Sequence, residues 1–208
     1  MSHANEVFWS VLQTGEVVPL AIAGPGTGKT RSVEAFGRSV GRQVYTFIGS
    51  ISEPTDLGGF PLPVADAGHM AMVPPKWAIS MQGAPWILFL DELTCNAPAV
   101  QAAMLRVITD KRVGDFDLPR DTWLCSACNP PEMAANGTEL EMPMANRVFH
   151  WPGMEIMGSL WGQWKELTIC CGQPMARVAK SGWKIPPKFL SEAVPLMQRA
   201  GMFKKVGS

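Results

Sequence analysis

The chain has 208 residues, 47% of them hydrophobic, with 18 lysines and arginines balanced by 18 aspartates and glutamates. That length suits one α/β domain with a small appendage, and the neutral total provides no overall basic field of the kind nucleic-acid binders carry. No apolar run approaches the roughly 18 residues of a membrane span, and five cysteines, an odd number, fit a reducing, cytoplasmic setting better than a disulfide framework.

The opening residues Met1-Ser2-His3-Ala4-Asn5-Glu6 have neither the basic start nor the apolar stretch of a signal peptide. A helix is expected over 5–13 and a strand over 17–23. Next comes Ala23-Gly24-Pro25-Gly26-Thr27-Gly28-Lys29-Thr30, leading into a helix over 30–40. Strand, glycine-rich loop and helix in that order are what a phosphate-binding loop requires. Glycines let backbone N–H groups turn inward around phosphates, and the helix N-terminus adds a favourable dipole. Gly24, Pro25, Gly26, Thr27 and Gly28 would form the cradle for the phosphates. Lys29 would reach the β- and γ-phosphates, and the Thr30 hydroxyl would ligate Mg²⁺. Ala23 replaces the usual first glycine, a departure that two further glycines before Gly28 make tolerable.

A second strand is expected over 43–48. The stretch 49–83 is rich in glycine and proline and contains Asp56-Leu57-Gly58-Gly59-Phe60-Pro61. A connection that long is functional or carries its own small element, and residues 70–73 are expected to supply a hairpin strand. The run Trp86-Ile87-Leu88-Phe89-Leu90 then reads as a strand buried on both faces, ending in Asp91-Glu92. Ligands lie beyond the carboxyl ends of parallel strands, so Asp91 would hold Mg²⁺ and Glu92 would polarise the attacking water as general base.

The next helix, over 98–109, has Pro98 in its first turn, Asn96 available as its cap, and Val100, Met104 and Val107 at core spacing. The strand over 122–127 leads to Cys128-Asn129-Pro130, where Asn129 would contact the γ-phosphate or orient the water. An ordinary Asn-Pro turn is the bland alternative. A last strand is expected over 148–151. A domain boundary is placed after Pro152, giving a core over 1–152 and an appendage over 153–208 with helices at 155–170 and 187–200.

These motifs resemble those of the MoxR-type, or dynein-related, AAA+ ATPases. The most informative match is Leu90-Asp91-Glu92-Leu93-Thr94-Cys95-Asn96-Ala97-Pro98-Ala99-Val100-Gln101-Ala102-Ala103-Met104-Leu105, in which the acidic pair leads through an Asn-x-Pro turn to the following helix. Asp56-Leu57-Gly58-Gly59 resembles the family's insert, residues 113–119 its hairpin, and Asn129-Pro130 its first sensor; the likeness runs over about 15–152. It implies an α/β P-loop NTPase core of the AAA+ type, with a central five-stranded parallel sheet and a partial helical lid. It also implies Mg²⁺-dependent ATP hydrolysis in a ring, expected to be a hexamer, acting on a protein client and often beside a von Willebrand A-type partner. Arg147, in Met144-Ala145-Asn146-Arg147-Val148-Phe149, matches the arginine that enters the neighbouring subunit's site. Neither Arg177 nor Arg199 stands in the context of the family's second sensor, which leaves a weakly hydrolysing, nucleotide-dependent binding module as an alternative.

Other residues point elsewhere only weakly. Cys125 and Cys128 have CxxC spacing, but on a strand they face opposite sides and would not share a zinc. His69 and His150 lack the companions of a triad. A nucleic-acid motor or loader is the rival reading. Lys111 and Arg112 favour it, whereas Asp115 and Asp117, expected as solvated residues flanking Phe116 at a hairpin tip, would repel phosphates.

Overall fold

The uninterrupted apolar run before Asp91 forms β5 (Trp86–Asp91). In the computed structural model, which describes residues 3–130, 133, 140–152, 168–169 and 173–174, β5 lies inside a five-stranded sheet. Its other strands are β1 (Val18–Ile22), β2 (Gln43–Ile48), β8 (Trp123–Cys128) and β9 (Val148–Pro152), in the order β2-β5-β8-β1-β9. All four pairings are parallel. The five expected strands are therefore present, with ends shifted by only one residue.

Alternation along β5 divides the core. Ile87 and Phe89 face a layer built by α1 (His3–Thr14) and α2 (Lys29–Ser39), with Phe8, Leu12, Val33 and Phe36 fully or almost fully buried. Leu88 and Leu90 face the opposite layer, where Val100, Met104 and Val107 of α5 (Pro98–Asp110) pack beside Leu57 and Met81. Trp9 stacks on Phe36 with ring centroids 4.2 Å apart and planes within 7°. Below the sheet, Lys111 adopts the left-handed conformation that ends α5, with φ of 50°. Its ammonium donates to the carbonyls of Gly15, Arg120 and Thr122, tying α5 to both neighbouring loops.

The long connection carries α3 (Thr55–Gly58), the hairpin of β3 (Phe60–Pro63) and β4 (Met70–Val73), and α4 (Lys76–Ile79). A second hairpin joins β6 (Arg112–Val113) to β7 (Phe116–Asp117). Its turn is Gly114-Asp115, so Phe116 sits beside the core rather than at the tip. Asp115 is also more than a solvated turn residue. Its carboxylate accepts from the Met72 N–H at 2.7 Å while its own N–H donates to the Met72 carbonyl at 2.9 Å. The two hairpins thus clasp each other, and two glycines permit it. Gly59 has φ of 81° and ψ of 165°, a region open essentially to glycine alone. A methyl there would lie 2.9 Å from the Gly114 Cα and from the Val73 carbonyl oxygen. Gly59→Ala is expected to lower stability by about 1–3 kcal/mol, measured by chemical denaturation; unchanged stability would show that the clasp gives way easily.

Asn96 does not cap α5. Ala97 holds the cap position without a side-chain hydrogen bond, and Pro98 in the first turn has no N–H to offer. Asn96 turns inward instead, its Nδ2 donating to the Leu93 carbonyl and to the Met104 sulfur. Beyond the sheet, Thr168–Ile169 pairs antiparallel with Gln173–Pro174. The expected helix over 155–170 is therefore corrected at its end: β-branched Thr168 and Ile169 suit extended chain, and Gly172 lies between the two strands. The rest of that helix, the helix over 187–200 and most of the expected lid lie outside the described residues. Short α6 (Met142–Ala145) precedes β9.

Candidate nucleotide site

The loop between β1 and α2 closes at the carboxyl edge of the sheet, where the Ala23 N–H donates to the Cys128 carbonyl at 3.3 Å. Gly26 and Gly28 have φ of 76° and 82°, and Gly28 in the left-handed region is the cap of α2. Thr27 Oγ1 donates to the Gly24 carbonyl at 2.9 Å and stiffens the turn. Residues 25–31, Asp91, Glu92 and Asn129 line a cavity of about 410 Å³, open to one side and sized for a ligand's polyphosphate.

Lys29 points back into this loop and is 9% exposed. Its ammonium has three donors, and all three are used. They go to the Ala23 carbonyl at 2.8 Å, the Gly24 carbonyl at 3.1 Å and Asn129 Oδ1 at 2.8 Å. Burial pulls the Lys29 pKa below its ordinary value, while the Asp91 carboxylate is the foremost group opposing that pull. Thr30 Oγ1 donates to Asp91 Oδ2 at 3.0 Å. A hydroxyl and a carboxylate held together beside a phosphate cradle form the hard-oxygen donor set that Mg²⁺ takes, so these residues fit that ion.

Glu92 has φ of 58°. Its N–H donates to Asp91 Oδ1 at 2.9 Å, and its Oε2 accepts from the Ser50 hydroxyl. Ser50 belongs to the single 3-10 turn Gly49–Ile51 after β2. Ser50 carries no sequence signal of its own, and only the strand register reveals it. Ile48, the last residue of β2, is in register with Asp91, so the residues just beyond it emerge at the same carboxyl edge.

Lys29, Thr30, Asp91, Glu92 and Asn129 therefore line one cavity with Pro25, Gly26, Thr27 and Gly28, whereas Gly24 is outside that lining and meets Lys29 through its carbonyl. Arg147 does not line the cavity of its own chain. It is exposed, and its Nη1 donates to the Pro143 carbonyl at 3.0 Å. Arg31 lines the mouth, its side chain 89% exposed and 3.9 Å from Glu34. Cys125 and Cys128 lie in opposite layers of the core. Burial raises the Cys125 thiol far above its ordinary value and pushes Cys128 up to about 12, so both stay protonated near neutrality. His150 is held below its ordinary value by burial and bonds the Ala145 carbonyl.

A phosphate-type loop after the first strand, an acidic pair after the middle strand and a polar residue after the strand between them define, with this sheet order, the AAA+ P-loop NTPase fold. No protein-family model matches the chain, and no curated protein matches it in sequence. Among solved structures, a candidate ATPase from Cytophaga hutchinsonii is similar over 77% of this chain and 46% of its own length, with 17% identity and a TM-score of 0.51. Two single-residue mutants of RuvB from Thermotoga maritima align over 73% and 72% of this chain and 46% and 44% of theirs. Their identities are 16% and 15% and their TM-scores 0.48 and 0.47. At such identities the likeness is one of fold, and the chain spans less than half of each of these structures. Among the described residues, no helix is long and apolar enough to cross a membrane.

Proposed function

We propose that this chain is a MoxR-type AAA+ ATPase that binds ATP with Mg²⁺ and hydrolyses its terminal phosphoanhydride. One observation carries the reading: a cationic lysine, a hydroxyl–carboxylate pair, a second carboxylate and an amide converge on a single cavity at the sheet's carboxyl edge. Lys29 binds the β- and γ-phosphates after leaving its internal acceptors. Thr30 and Asp91 hold Mg²⁺, which neutralises phosphate charge when bound. Glu92 leaves Ser50 and accepts a proton from the attacking water, and Asn129 turns its amide to the γ-phosphate. Arg147, exposed and remote from its own cavity, serves the site of a neighbouring subunit in a ring, taken to be a hexamer.

The work done by that ring is remodelling or maturation of a protein client in the cytoplasm, beside a von Willebrand A-type partner. The nucleic-acid reading loses support because its two cations are already engaged. Lys111 is spent on three carbonyls, and Arg112 lies 3.4 Å from Asp117 and 3.9 Å from Asp115. Glu92→Gln tests the chemistry. It is expected to retain ATP and trap it, because the phosphate contacts survive while water activation is lost. Equal loss of binding and turnover in a nucleotide titration would make Glu92 a structural residue instead.

A further inference from the structure

We propose that Asn96 is a positioning residue for Glu92, acting through the backbone of Gly49 and the hydroxyl of Ser50; this rests on Glu92 being the base of the site. Glu92 opens a tight turn closed by the Cys95 N–H donating to the Glu92 carbonyl at 3.0 Å, and Asn96 follows that turn directly. Both grip the same neighbouring segment, the turn Gly49–Ile51. Glu92 holds it by accepting from Ser50. Asn96 holds it by packing, since a methyl built on Gly49 would overlap Cγ, Oδ1 and Nδ2 of the Asn96 side chain together. The whole amide plane therefore rests against the Gly49 backbone.

That amide is not free to yield. Asn96 is 6% exposed, and its Nδ2 is fastened to the Leu93 carbonyl at 3.3 Å and the Met104 sulfur at 3.2 Å. Its Oδ1 has no hydrogen-bond partner among the described residues. A buried acceptor left unpaired destabilises a fold, so hydrogen bonding alone does not account for an amide here, whereas a flat plate against a glycine does. The far side of the turn is also secured: the Ser52 N–H donates to the Gly49 carbonyl at 3.2 Å, and Ser52 Oγ donates to the Ile48 carbonyl at 2.6 Å. Held on both sides, the backbone that carries Ser50 keeps its hydroxyl within reach of Glu92. The contact sets where the carboxylate waits and where it returns after each turnover.

The experiment compares four proteins: wild type, Gly49→Ala, Asn96→Ala and the double variant. Gly49→Ala is expected to keep its KM for ATP while kcat falls by up to about 10²-fold, the scale of an ångström-sized misplacement. Asn96→Ala added to Gly49→Ala removes the overlapping amide and restores most of the lost kcat. A merely structural contact would raise KM and lower kcat together without such a split. Wild-type kcat in Gly49→Ala, or no recovery in the double variant, overturns the proposal. Absence of wild-type turnover strikes the reading of Glu92 itself. The contact is then judged by melting temperature in the same four proteins, where coupled losses support it and additive losses overturn it.

Discussion

Arg147→Ala is expected to bind nucleotide about as wild type does, yet to lose about 10³–10⁵ in turnover, the contribution of an arginine finger in phosphoryl transfer. The expectation comes from the resemblance of residues 144–149 to the AAA+ segment that ends in such an arginine, and its placement is compatible with it. Arg147 follows α6, is exposed, touches only the Pro143 carbonyl in the hydrogen bonds described, and stands apart from the cavity of its own chain. A guanidinium that stabilises charge in a neighbour's site makes a further result follow. Lys29→Ala subunits still offer Arg147, and Arg147→Ala subunits still have an intact phosphate loop. Mixing the two inactive proteins therefore restores part of the activity. Sedimentation with ATP must show that they assemble together. Co-assembly with no recovered hydrolysis would defeat the trans role and leave Arg147 as a brace for the start of β9.

Lys29→Ala is expected to weaken ATP binding by about 10- to 10²-fold, since a charge-assisted hydrogen bond contributes about 1.5–3 kcal/mol. The backbone amides of the loop remain, but among the described residues no other side chain in the cavity wall brings a buried cation to the phosphates. Arg31 is also cationic and lines the mouth, yet it is 89% exposed and screened by solvent. Wild-type affinity in a nucleotide titration, with the fold checked by circular dichroism, would remove the central claim about the site.

What could be read in advance and what could not divide along a physical line. The phosphate loop and the strand ending in Asp91-Glu92 were legible because each is a contiguous run whose chemistry is local. The sheet was legible because strands buried on both faces leave long apolar runs such as Ile87 to Leu90. Asn129 was weaker alone, since Asn-Pro turns are common, and gained meaning only beside the other two motifs. Ser50 was invisible: nothing in Gly49-Ser50-Ile51 announces that β2 ends level with β5. Asn96 misled for a related reason. A polar residue before a proline-led helix suits a cap, but tertiary packing gave its amide to Met104 and Gly49. The clasp of Gly59 on Gly114 was equally hidden, because the two glycines approach across separate hairpins.

The bond between Lys29 and Asn129 makes filling the site an exchange rather than an addition. With Ala23 and Gly24 supplying the other two acceptors, the ammonium is surrounded by oxygen, as a phosphate would surround it. An arriving polyphosphate replaces that oxygen shell with its own, and the amide that surrendered the cation is freed at the same moment. In the function proposed, arrival of the ligand and release of Asn129 are thus two sides of one substitution. The carbonyl just before Asn129 also receives the Ala23 N–H, so the lysine's loop and β8 meet at the peptide that carries Asn129.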